Sequence, residues 1–414
     1  MKFDTVIIGG GLSGLVSGIE SAKSGRKTAV ISAGQSALHF WSGSFEFLCN
    51  ENNEQVVENP VGRASLLPDG HPYRKIGVER TASLLRKTAP LLAEAGINVS
   101  GTLERNHYRI TPLGFMKPAW LTLDDYFSFE RPEDLKGKKA VIVNIKGYID
   151  FYPSFLKAGL NGLGMECRSV DVNIPQLDIL RRSTTEMRAT NISRFLKNDA
   201  VDALAKEINR TVAGADMVIM PAILGIFSDE PVKRLRHGVD CPVYFIATTP
   251  ASVPGVRCQL ALKDLFMRSG GYFLPGDMVT RGDFSNHRLV KVYTANFGDI
   301  PVEADNYVMS TGSFFGHGLI ADLHRIYEPV FGLDVEAGES RTDWYDKNFY
   351  NAQPYMSYGV LTDSKFRPSI KGETIENLYA TGALLSGFNA LKEGSGAGIT
   401  LATVFHAAEE SARQ

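Results

Sequence analysis

Apolar and polar positions alternate along the chain with two periods, and the switch between them marks the elements. Residues 3–8, FDTVII, form a short β-branched run of the kind that makes a buried parallel strand. A glycine turn follows, then a helical pattern to Ser24, then Gly25 and a second apolar run, KTAVIS, over 27–32. This is a βαβ unit with a tight first turn. Residues 50–75 are polar and punctuated by Pro and Gly, and predict a loop-rich excursion, while 79–95 predict a helix.

A second α/β block starts at 138. KKAVIVNI, MECRSVDV, ADMVIMP and CPVYFIAT (241–248) predict strands, with helices between Gly147 and Gly159 and over 189–208. This block has no glycine fingerprint, and residues 116–250 are expected to be an inserted α/β domain between two segments, 1–115 and 251–414, of a first domain. VRCQLALKDLFMRSGGYFLPGDMVT predicts helix, turn and strand, followed by a hairpin-like stretch to 303. DNYVMSTGS predicts a buried strand that stops at glycine. ENLYATGAL predicts another, and an amphipathic helix over 399–412 closes the chain.

Composition narrows the function. The 414 residues carry 44 Lys+Arg against 46 Asp+Glu, so the basic footprint of a nucleic-acid binder is absent. The four cysteines (Cys49, Cys167, Cys241, Cys258) are widely spaced and form no C-x-x-C pair, which argues against a disulfide scaffold, a zinc site, an iron–sulfur cluster or a redox-active disulfide. His317 and His324 lack metal-ligand spacing, so no metal site is expected. No run of 18 apolar residues exists to span a bilayer, and Asp4 and the glycines argue against a signal peptide. No G-x-S-x-G element supports hydrolysis. Glycine is the one skew: 40 of 414, about 10%, against a usual level of roughly 7%.

Those glycines cluster. Gly9, Gly11 and Gly14 fit G-x-G-x-x-G directly after a strand and at the start of a helix, the context that gives the pattern meaning. Gly9 permits the turn, Gly11 lets backbone approach a pyrophosphate, and Gly14 lets helix pack close to sheet. The helix N-terminus then offers free N–H groups to phosphate. The fold class is α/β, with a Rossmann-like dinucleotide- or flavin-binding domain. The acid expected at the end of the second strand, where it would hold a ribose, is missing; Ser32, Gln35 and Ser36 are the groups available there.

At the other end, Gly382 stops a strand, and Gly394, Gly396 and Ala397 lead into the last helix. Such a helix start can stabilise negative charge on a reduced flavin. Ala383 stands where an acid often holds the ribitol. Gly312 ends a third strand, and three such stops would meet at one site. His39-Phe40-Trp41-Ser42-Gly43-Ser44 reads as a polar loop over the flavin, with Ser42 and Gly43 as contacts and His39 as candidate base or proton carrier. Arg341, Arg367 and Lys392 are candidate cations for a phosphate-bearing substrate.

The chain resembles the B subunits of the bacterial anaerobic glycerol-3-phosphate dehydrogenases. The resemblance runs through FDTVIIGGGLSGL, GQSALHFWSGS (34–44), TPLG (111–114) and TEMRATNISRFL (185–196), and through LPGDMV, TGSFFGHGL, EPVFGLDV, RTDWY and TIENLYATG. It implies a flavoprotein subunit that works with the catalytic A subunit, and with the iron–sulfur, membrane-attached C subunit. Together these would oxidise sn-glycerol 3-phosphate to dihydroxyacetone phosphate and pass electrons to quinone. The chain itself would be cytoplasmic, peripheral on the membrane through a partner. The resemblance implies FMN, whereas the glycine pattern points to FAD. A non-catalytic assembly or electron-relay subunit, and a free-standing flavin dehydrogenase acting on another small substrate, are the competing expectations.

Overall fold

Strand β1 (Lys2–Ile8) is buried from Thr5 onward, and everything at the site is built out from it. The computed structural model describes residues 1–51, 55–183 and 185–413. Helix α1 (Leu12–Lys23) follows β1 and leads to β2 (Thr28–Ser32), which is buried throughout. The second block holds β3 (Lys139–Ile145), β4 (Glu166–Val172), β5 (Met217–Pro221) and β6 (Val243–Ile246). The chain then returns as α2 (Val253–Arg268), β7 (Tyr272–Pro275), β8 (Val279–Ser285), β9 (Arg288–Thr294), β10 (Val302–Met309), β11 (Leu378–Ala380) and α3 (Gly396–Ala412).

The main sheet has seven strands, in the order β7-β2-β1-β10-β9-β8, with β11 also paired to β10. β7, β2, β1, β10 and β11 are parallel, so their C-terminal ends share one edge. The register places Ile8 opposite Met309 and Met309 opposite Ala380. The three predicted glycine stops therefore leave neighbouring strands side by side, in the position where an open α/β sheet binds ligands. β8 and β9 form the expected hairpin, closed by Asn286 and His287, both in the left-handed region that such two-residue turns require.

The second sheet is all parallel in the order β4-β3-β5-β6 and spans 139–246. Residues 116–129 do not enter it as a strand. Met116–Ala119 and Ser128–Phe129 pair with His107–Ile110, and Leu121–Leu123 pairs with Ser44–Phe45 and Val99–Ser100. These pieces form a small antiparallel layer beside the glycine site.

Several predicted elements are divided or shifted, each for a local reason. The helix expected over 79–95 is two, Val78–Leu85 and Thr88–Glu94, because Pro90 has no N–H and fits only a first turn. The helix expected over 189–208 breaks into Ala189–Phe195 and Asp199–Asn209, where Leu196 turns inward and Asn198 adopts a left-handed φ of 41°. The helix sought between Gly147 and Gly159 is Pro153–Gly162, started by its proline. The stretch 50–75 contains the short helices Pro60–Ala64 and Pro72–Ile76, and its residues 52–54 lie outside the described residues. No helix among the described residues is long and apolar enough to cross a membrane.

Candidate functional site

Gly9 adopts φ +117°, and a Cβ there would lie 2.3 Å from the Ser310 carbonyl oxygen. A Cβ on Gly14 would fall 1.8 Å from the Gly9 carbonyl oxygen, so only glycine lets α1 pack this close to the turn. Gly11 differs: its Cβ would meet nothing nearer than the Ser36 Cβ at 3.5 Å. That is the behaviour of a cradle, where backbone is kept bare for something to approach. Gly11 caps α1 without a side chain, the first turn carries no acid, and the Leu12 and Ser13 N–H groups have no partner among the described residues. Free N–H groups and the positive dipole end thus remain for a diphosphate.

The three strand ends are tied by hydroxyls. Ser13 on α1, Ser310 after β10 and Thr381 after β11 are all buried. Thr381 Oγ1 lies 2.8 Å from both Ser13 Oγ and Ser310 Oγ, and Ser13 Oγ donates to Ser310 Oγ at 3.2 Å. Beside them, Gly312 has φ +80°, and Thr311 Oγ1 is buried without a partner among the described residues. Gly382 has φ +71°, and its N–H donates to Thr403 Oγ1 of α3.

At the start of α3, the Gly398 N–H donates to the Glu46 carbonyl, and the Cys49 N–H donates to the carbonyls of Glu393 and Gly394. The segment 44–49 therefore lies along the glycine cluster. Gly394 takes φ +59° against Cys49. The Gly396 and Ala397 N–H groups have no partner among the described residues, and α3 has no side-chain cap and no acid in its first turn. Two long helices thus present unsatisfied N-termini at the same edge of the sheet, and the residues fit a bound flavin dinucleotide.

Gln259 on α2 was not visible as a site residue in the sequence. Its Nε2 donates to the Gly10 carbonyl at 3.4 Å, and its Oε1 accepts from Ser36 Oγ at 3.0 Å. It also hydrogen-bonds His39, whose pKa is lowered by partial burial against that bond. Of the ribose candidates, Ser32 is buried under Gly10 and donates to the Gly34 carbonyl, Ser36 caps the Leu38 N–H, and Gln35 is exposed.

Ser42 and Gly43 lie at the small antiparallel layer. Gly43 (φ +82°) sits on the Tyr126 ring, and Ser42 Oγ accepts from Arg109 Nη2 at 2.8 Å. The structure does not bring all three predicted cations together. Arg367 is bound to Asp363 through Nε and Nη2, Arg341 is exposed in a short helix, and only Lys392 adjoins the glycine cluster. A cleft of about 150 Å³ between Trp41, Asp125, Arg236 and Arg257 includes none of the glycine-turn residues.

Comparison with known proteins agrees with this geometry. A FAD binding domain family matches residues 4–399 and indicates FAD where the resemblance alone implied FMN. The B subunit of the anaerobic glycerol-3-phosphate dehydrogenase of Yersinia enterocolitica is 38% identical over 99% of this chain and 98% of its own. That of Pectobacterium carotovorum is 39% identical over the same shares, and that of Actinobacillus succinogenes is 36% identical over 100% and 99%. Among solved structures, a 3-ketosteroid Δ1-dehydrogenase from Sterolibacterium denitrificans covers the whole of both chains at 10% identity with a TM-score of 0.45. The chain is a flavoprotein of the FAD binding domain family and belongs, within it, to the family of anaerobic glycerol-3-phosphate dehydrogenase B subunits.

Proposed function

We propose that this chain is the flavin-bearing subunit of a complex that oxidises sn-glycerol 3-phosphate to dihydroxyacetone phosphate and passes the electrons toward quinone. The observation that carries the reading is the meeting of two uncapped helix N-termini, α1 and α3, at one edge of a parallel sheet. When bound, the flavin supplies a two-electron acceptor for hydride from a substrate C–H.

The chain's own residues do the rest. The Leu12 and Ser13 N–H groups bind diphosphate, and Gln259 holds the Gly10 carbonyl and Ser36 so that the turn keeps its shape. The Gly396 and Ala397 N–H groups place a positive dipole end where negative charge must be held. Partial burial favours the neutral ring of His39, the form that accepts the proton of a substrate hydroxyl. We assign the flavin-binding domain to 1–115 and 251–414 and the inserted domain to 116–250, of which 116–129 pairs back onto strands of the first domain. The partners are the catalytic A subunit, and the iron–sulfur C subunit, through which a cytoplasmic chain is held at the membrane.

Ser32 and Ala383, in place of two expected acids, favour a second reading, in which the chain relays electrons or only assembles the complex. Identification of the cofactor released on denaturation separates the flavin-bearing reading from the assembly role, and rapid reduction of the bound flavin by glycerol 3-phosphate in the isolated chain separates it from the relay. Released FAD, with complex activity lost in Gly11→Glu, supports the first; no flavin, or full activity in Gly11→Glu, establishes the assembly role.

A further inference from the structure

The hairpin His107–Ile110/Met116–Ala119 places Arg109 directly opposite Lys117. Like charges on facing positions of an antiparallel pair are destabilising, and here one of the two is almost fully buried, with 4% of its side chain exposed. The nearby counter-charge is incomplete. Glu46 Oε1 stands 3.7 Å from Arg109 Nη2 and 3.4 Å from Lys117 Nζ, so one carboxylate serves two cations. A buried charge persists in a fold only with compensation, and here the single carboxylate is shared between the two cations.

The hydrogen bonds of Arg109 are unfinished in the same way. Nε donates to Ser44 Oγ at 2.7 Å and Nη2 to Ser42 Oγ at 2.8 Å, while Nη1 makes no hydrogen bond among the described residues. Ser42, Ser44 and Glu46 alternate with the buried Phe45 and Phe47, so the polar residues share one face of an extended strap. The backbone of that strap accepts the Gly398 N–H at the start of α3. Lys117, 39% exposed, and half-buried Ser42 leave the cluster open to solvent. A planar fork fixed on two serines, with a second cation opposite, is suited to the oxygens of a phosphate monoester.

We propose that Arg109 and Lys117, with Ser42, bind the phosphate group of the substrate. The proposal rests on the reading of this chain as one that meets an organic phosphate. It assigns substrate recognition to the small antiparallel layer and not to Arg341 or Arg367.

The test is calorimetric titration of inorganic phosphate into the flavin-loaded protein. Lys117→Gln, Arg109→Lys and Arg109→Gln are compared with the unaltered chain. One phosphate site should weaken about tenfold in Lys117→Gln and more in Arg109→Gln. The KM for glycerol 3-phosphate should rise in the same order, with kcat changed less than about twofold. Lys117→Gln alters an exposed side chain and keeps the test open should Arg109→Gln fail to fold. Unchanged phosphate binding in folded Lys117→Gln and Arg109→Lys overturns the proposal. Phosphate binding that depends on these residues, in a complex that does not oxidise glycerol 3-phosphate, upholds the anion site and overturns the reading of the substrate.

Discussion

Thr381 Oγ1 lies 2.8 Å from Ser13 Oγ, a contact between residues 368 apart in sequence. Ser310 completes a buried triangle of hydroxyls that joins α1 to the ends of β10 and β11. Thr381→Val keeps the shape and removes two of the three bonds of the triangle, the two at 2.8 Å. The expected cost is about 1–3 kcal/mol of unfolding free energy, read from urea denaturation. A loss of less than a few tenths would mean that the triangle does not hold the strand ends.

Gly11 and Gly14 separate cofactor from fold. Gly11→Glu puts a carboxylate into open space beside the free N–H groups of α1, where it takes the place of a diphosphate. The protein should lose its flavin absorbance and melt like the flavin-free form of the unaltered chain. Gly14→Ala drives a methyl group into the Gly9 carbonyl and should lower thermal stability before any effect on flavin is measured.

Gln259→Leu removes the bonds to Gly10 and Ser36 from a position on α2. Flavin affinity should fall about tenfold with the secondary structure intact. Fluorescence titration of the apoprotein measures this, and equal affinity in both proteins would exclude Gln259 from the turn.

His107 predicts a pH dependence. Burial and, after it, the Arg109 charge push its pKa down to about 4. The unfolded value is about 6.5, so between these values the unfolded chain binds a proton that the folded chain does not. Stability therefore falls as pH drops from about 6.5 toward 4, by about 3 kcal/mol from this group. His107→Gln should flatten that part of the profile in denaturant titrations at stepped pH. An unchanged slope would assign the acid sensitivity elsewhere.

The glycine turn was legible because each of its glycines has a separate steric reason, and those reasons survive in one dimension. The strand-to-glycine stops at Gly312 and Gly382 were legible for the same reason. Ser13, Ser310 and Thr381 were not, since a small hydroxyl has no pattern until three strands stand in register. Gln259 lies in an ordinary amphipathic helix, and only the three-dimensional fold reveals what its amide reaches. Arg109 and Lys117 flank TPLG, so a hairpin reading of 107–119 would have paired them; the apolar pattern there is too short to show it. Arg341 and Arg367 drew attention by nearness in sequence, which Asp363 and the surface helix at 341–343 make irrelevant.

The seam between β1 and the late strands also orders events during synthesis. A nascent chain that has released its first 300 residues already has Gly9 to Gly14, but β10, β11 and α3 do not yet exist to close the site. Ser13 then has neither hydroxyl partner, and only one of the two helix ends is present. The flavin site is accordingly complete only when nearly the whole chain has been made.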